Sequence, residues 1–146
     1  MVEIKVQKLQ PQAKLPQYKS EDAAGADVYA CIETDVVIPA HGVTLISTGL
    51  ALEIPSGYQG EVRARSGLAL KEGLFVLNGP GTIDADYRGE LKIILANFSS
   101  EPRTIHPFDR IAQLVIMPVI RVRFSESELA PSQREQGGFG STGKRE

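Results

Sequence analysis

The sequence predicts an all-β domain, and three observations predict it. At the start of the chain Val2, Ile4 and Val6 alternate with Glu3, Lys5 and Gln7, the period of two that marks a half-buried strand. Further short runs rich in Val, Ile and Leu follow at 35–38, 43–47, 51–54, 60–65, 90–96 and 111–122. Turn-forming residues separate them: Pro39 and Gly42, Pro55 and Gly57, Asn78 to Gly81, and Ser99 to Pro102. Only 66–72 has helical composition, and Gly67 and Gly73 hold it to a turn or so. Many short strands at close spacing make a sandwich, a jelly roll or a barrel.

A length of 146 residues suits one domain around one core. With 42% hydrophobic and 23% charged residues, the composition is that of a globular protein. The formal net charge of −2 argues against direct nucleic-acid binding along a phosphate backbone, although a local cluster of arginines is compatible with it. A single cysteine, Cys31, forms no disulfide within the chain and is expected to be a small buried apolar group. The N-terminal MVEIKVQKL lacks the apolar stretch of a signal peptide, and no segment approaches the roughly 20 apolar residues of a membrane helix. A cytoplasmic protein with no membrane attachment is expected.

From about residue 131 the character changes. The segment becomes rich in Gly, Ser and charge with one aromatic, Phe139, and cannot bury enough surface to order itself. The expected organisation is therefore a β domain over 1–130 and a flexible arm over 131–146. The arm is either a disordered terminus or a segment that orders over a ligand. It satisfies GxxxxGK between Gly138 and Lys144, but no strand precedes it and Arg145 follows the lysine, so it is not a P-loop. Its chemistry still suits an anion: glycine backbone, the hydroxyls of Ser141 and Thr142, and the guanidinium of Arg134. Phe139 is suited to stacking on a flat ring.

Four other segments carry polar chemistry. In the run from Glu61 to Gly67 a strand ends in Arg65, Ser66 and Gly67, which offers a bidentate donor, a hydroxyl and bare backbone, or else simply solvated surface. In the run from Asn78 to Gly89 a Gly/Pro-rich turn leads into Asp84 and Asp86, which share a face of an extended chain. That pair could serve a metal or activate a water, or be an acidic turn. Asp27 lies among apolar residues in AGADVYA, and Gln113 does so in DRIAQL, each a structural group or a ligand. His41 and His106 stand beside turns without metal-ligand spacing and read as ordinary loop histidines.

Taken in order, AGADVYA, RSGLA, GTIDADYRGE, DRIAQL and GGFGSTG resemble the five motifs of the trimeric dUTPase family, spread from Ala24 to Gly143. The resemblance implies a distorted jelly-roll β-barrel assembled as a homotrimer, with the C-terminal arm exchanged between subunits and active sites at their interfaces. It implies a Mg²⁺-dependent enzyme that hydrolyses dUTP to dUMP and pyrophosphate. Asp84 would be the catalytic residue, activating the attacking water and contacting the 3′-hydroxyl. Tyr87 would pack under the deoxyribose, and Asn78, Gly81, Thr82 and Ile83 would read uracil. Arg65, Ser66, Gly67 and Gln113 would hold the triphosphate, with Asp27 reaching Mg²⁺ through water. Arg134, Ser141 and Thr142 would clamp the γ-phosphate, Phe139 would cover the uracil ring, and Gly140 would be a further substrate-binding residue.

Two positions depart from the family pattern. Glu135 follows Arg134 where a glycine is usual, and Ala26 stands where a larger residue is common. The related dCTP deaminases share the fold but place a glutamate ten residues after the aspartate. Here that position is Ile94, which moves no proton. A catalytically silent nucleotide sensor is the other alternative, and the presence of Asp84, Arg65, Ser66 and Gln113 argues against it.

Overall fold

The computed structural model describes residues 1–145. Among them are ten strands and one helix: β1 (Lys5–Lys8), β2 (Ala26–Tyr29), β3 (Val36–Ile38), β4 (Val43–Glu53), β5 (Tyr58–Arg63), α1 (Ser66–Glu72), β6 (Leu74–Val76), β7 (Gly81–Ile83), β8 (Glu90–Asn97), β9 (Arg103–Ile105) and β10 (Arg110–Pro118). They form two four-stranded sheets, ordered β1-β4-β8-β6 and β2-β10-β5-β7, and a small β3-β9 pair. Every pairing is antiparallel. The all-β, jelly-roll-like expectation holds. No helix is long and apolar enough to cross a membrane.

The two large sheets close on one core. Val28, Val62, Ile83 and Leu114 come from one sheet, and Ile46, Leu52, Leu74, Leu91, Ile93 and Leu95 from the other. Alternation sets the outer face. On β10 Ala112 and Leu114 are buried, while Gln113 between them is half-buried on the opposite side. This face of β2, β10 and β5 carries the polar groups described below.

The structure differs from the sequence reading in several elements. The runs at 43–47 and 51–54 merge into one strand, β4, which ends at Glu53 and whose register with β8 shifts between Ser47 and Ala51. Gly49 takes φ 68° in that irregularity, and the buried Thr48 hydroxyl donates to the Leu91 carbonyl. The interval between the two expected strands is thus a bulge, not a break. The last strand ends at Pro118, not at 122: Pro118 pairs with Tyr58, the first residue of β5, and after one more bond, from Val119 N–H to the Gly57 carbonyl at 2.9 Å, there is no partner strand among the described residues to continue along. Beyond it, 119–145 carry no strand or helix. β6, β7 and β9 were not foreseen, since three residues each are too few to show a period. α1 runs seven residues and ends at Gly73, which adopts φ 69°. Cys31 is only half-buried. Burial and, after it, the Glu90 carboxylate push its thiol pKa up.

One buried polar group fastens the loops of this fold. The Asn97 amide, 2% exposed, donates to the carbonyls of Ile38, Pro39 and Glu101 at 3.1, 3.2 and 2.8 Å. Its oxygen accepts from Ser99 N–H at 3.0 Å and Ser99 Oγ at 2.7 Å. Asn97→Ala would orphan these partners, and we expect it to lower the unfolding free energy by about 3 kcal/mol. Urea titration at fixed protein concentration measures this, and an unchanged midpoint would show that water replaces the amide without cost.

Candidate active site

The candidate residues gather in three groups. The first is an ionic hub on the outer face of β2, β10 and β5. Register places Gln113 opposite Asp27 on one side and opposite Arg63 on the other. Arg65 lies two residues beyond Arg63, at the N-cap of α1. Asp27 is 3% exposed and takes three partners: Arg110 Nη1 at 3.0 Å, Gln113 Nε2 at 3.3 Å and Arg65 Nε at 3.4 Å. Arg65 also donates to the Arg110 carbonyl at 3.0 Å. The buried carboxylate is thereby compensated, and the two guanidiniums are held in fixed orientation.

Arg110 was not singled out in the sequence, although it lies within DRIAQL. Only its contact with Asp27 reveals its part. Ser66 and Gly67 open α1 beside this hub. Arg65 makes no side-chain cap bond, so the N–H groups of the first turn remain available to an acceptor.

The second group lines one cavity of about 350 Å³, bounded by Asn78, Gly81, Thr82, Ile83, Asp84 and Tyr87, with apolar walls that include Val76 and Ile94. Asp84 is exposed just beyond β7 and also borders a neighbouring cavity with Asp86, Arg88 and Arg121. A turn fixes the pair that matters. Tyr87 N–H donates to the Asp84 carbonyl at 3.1 Å, and Tyr87 OH donates to the Glu90 carbonyl at 3.0 Å. The hydroxyl end of the tyrosine ring lies against Gly89, where a Cβ would stand 2.6 Å from Tyr87 Cζ. Glycine at 89 is therefore a condition of the ring's position.

The third group, Arg134, Phe139, Gly140, Ser141 and Thr142, lies on the segment after β10 and lines neither of the other two sites. Its side chains are exposed, Phe139 fully so. Ile120, Phe124 and Leu129 on the same segment are about nine-tenths exposed, at 89%, 94% and 92%. A single chain thus holds the parts of a site without joining them.

Among the described residues no group of three His, Cys, Asp or Glu side chains could hold a metal by itself. The donor set suits an ion that takes most of its ligands from a phosphate substrate and water. Asp27 Oδ1 meets both Arg65 and Gln113, whereas Oδ2 accepts only from Arg110 and retains a lone pair for one water. His106 is not a ligand candidate. Its Nδ1 stands 2.8 Å from Asp35, and that hydrogen bond and charge raise its pKa.

The chain is similar to known proteins in both sequence and fold. The dUTPase family model matches residues 11–143. The deoxyuridine 5′-triphosphate nucleotidohydrolase of Syntrophotalea carbinolica is 53% identical over 143 residues, 97% of each chain. That of Hydrogenobaculum sp. is 52% identical over 94% of this chain and 96% of its own. Among solved structures, a single-substitution mutant of the Staphylococcus bacteriophage 80alpha dUTPase with dUpNHpp superposes with a TM-score of 0.85 at 28% identity, covering 97% of this chain and 98% of that one. A single-substitution mutant of a dUTPase from phage phi11 of S. aureus, described with a structural Mg(II) ion, gives 0.77 at 27% identity over 89% and 99%. With the five motif segments on the strands and loops that make the hub, the cavity and the exposed arm, this chain belongs to the dUTPase family.

Proposed function

We propose that this protein hydrolyses dUTP to dUMP and pyrophosphate, limiting uracil incorporation into DNA and supplying dUMP for thymidylate synthesis. The observation that carries the reading is the cavity that gathers Asn78, Gly81, Thr82, Ile83, Asp84 and Tyr87 from one short stretch of chain. Uracil enters against backbone groups of 81–83 and the Asn78 amide, which meet N3–H, O2 and O4. Cytosine inverts a donor and an acceptor there and leaves polar groups unpaired. The hydrocarbon side chain of Ile94 in the same wall is inconsistent with the proton shuttle of a deaminase.

Tyr87 packs under the deoxyribose and excludes a 2′-hydroxyl. Asp84 holds the 3′-hydroxyl and orients the water. As the water oxygen bonds to the α-phosphorus, its proton passes to Asp84 and the bond from the α-phosphorus to the bridging oxygen breaks, releasing pyrophosphate. Arg65, Ser66, Gly67 and Gln113 hold the triphosphate in line. Mg²⁺, held by phosphate oxygens and reached by Asp27 through water, would supply charge neutralisation when bound. Arg134, Ser141 and Thr142 close on the γ-phosphate while Phe139 and Gly140 cover the base, excluding bulk water.

Since one chain separates the hub, the cavity and the arm, the reading includes a homotrimer with sites between subunits. The row of exposed Ile120, Phe124 and Leu129 supports an exchanged segment whose apolar face is covered by a neighbour. The functional division lies near residue 131: a β-barrel domain over 1–130 and an arm over 131–146. The site of action is the cytoplasm.

The direct test is phosphate release from dUTP in the presence of Mg²⁺ and added pyrophosphatase. Ammonia from dCTP, or binding without turnover, would refute the reading. Selectivity offers a finer test. Gly89→Ala must push the Tyr87 ring aside, and we expect the preference for dUTP over UTP, read from kcat/KM, to fall about ten-fold or more. Unchanged discrimination would take Tyr87 out of sugar selection.

A further inference from the structure

The arm contains a preformed turn. Ser132 N–H donates to Glu135 Oε1 at 2.7 Å, and Glu135 N–H donates to Ser132 Oγ at 3.1 Å. This is the reciprocal pattern of a capping box, S-x-x-E, here closing a turn that no helix follows. Glu135 sits at φ 47°, a left-handed conformation that strains an L-residue and that glycine takes freely. Arg134 lies inside the turn. Its carbonyl accepts from Gly137 N–H at 2.9 Å, and its Nε donates to the Gly137 carbonyl at 2.6 Å. Four hydrogen bonds within six residues thus fix the backbone on both sides of Arg134 and the plane of its guanidinium. The Glu135 carboxylate is turned back to Ser132.

We propose that Ser132 and Glu135 are positioning residues. Their reciprocal bonds hold Glu135 in the left-handed conformation and present Arg134 to the anionic substrate, so the arm has less freedom to lose when it closes. The acidic side chain acts through this turn and not through its charge on the phosphates. The proposal rests on the arm being the segment that closes over the triphosphate.

The arm lies outside the packed core, so its variants leave folding intact, and side-chain choice separates the turn from the charge. Glutamine accepts the same bond as glutamate. Glu135→Gln should therefore keep kcat/KM, whereas Glu135→Ala and Ser132→Ala should each raise KM for dUTP about five-fold with kcat little changed. Glu135→Gly should fall between, since glycine recovers the left-handed backbone without the bond. Amide hydrogen exchange on the ligand-free protein provides the second readout: protection at Ser132 and Glu135 should be present in the wild type and lost in both alanine variants. If Gln and Ala at 135 improve KM equally, charge is what matters and the proposal is overturned. Kinetics and protection that are unchanged in all variants overturn it as well. A chain ending at Ala130, assayed alongside, separates the two levels. Full activity there removes the closing arm and this inference with it, whereas an inactive truncation beside an unaffected Ser132→Ala removes this inference alone.

Discussion

Asp84→Asn should reduce kcat for dUTP by about 10³-fold while leaving nucleotide affinity within a few-fold of wild type. Asp84 follows the last residue of β7, is open to solvent, and borders both the cavity that would take the nucleoside and its neighbour. The turn bond from Tyr87 N–H to the Asp84 carbonyl is made by backbone, so the substitution leaves the relation of these two residues unchanged. Asparagine keeps the shape and an oxygen for the 3′-hydroxyl but accepts no proton from the attacking water. An effect concentrated in kcat is what removal of a group used only in the transition state produces. Steady-state kinetics with isothermal titration of a non-hydrolysable dUTP analogue measures both sides. A kcat within a few-fold of wild type would mean that another group takes the proton.

Removing the chain from Gly137 onward should leave a folded, assembled protein whose kcat/KM is lower by about 100-fold or more. The body loses little. Regular structure ends at Pro118, and the residues removed make their hydrogen bonds to one another or to Arg134. The proposed site loses Phe139, Gly140, Ser141 and Thr142 together, the groups assigned above to clamp the γ-phosphate and exclude water. Light scattering should report the same mass class as the intact protein, and a melting curve the same midpoint. Full activity of the shortened chain would make the glycine-rich segment an ordinary frayed terminus.

The two predictions differ in how far the sequence foretells them. Asn78, Gly81, Thr82, Ile83, Asp84 and Tyr87 lie within ten positions of one another, so local sequence already groups them, and the structure places them around one cavity. The hub is different. Asp27, Arg65, Arg110 and Gln113 are spread over more than half the chain, and taken singly each is equally well a surface group. The split reading of β4 has a related cause: Thr48 and Gly49 look like a turn locally, and only the β8 carbonyl that receives the Thr48 hydroxyl shows that the strand continues.

The sequence alone determined the all-β class, through period-two alternation and Gly/Pro punctuation, because burial on one face of a strand is a local constraint. It determined the family as well, because five short segments in fixed order carry the chemistry. Tertiary structure decided how those segments meet. β10 pairs with β2 on one side and β5 on the other, in a register that brings Gln113 beside Asp27. That register is fixed by burying Val28, Val62, Ala112 and Leu114 on the opposite face. A slip of one residue would turn the polar set inward and the apolar set outward, so packing energy summed over distant strands, which no single segment encodes, places the ionic hub.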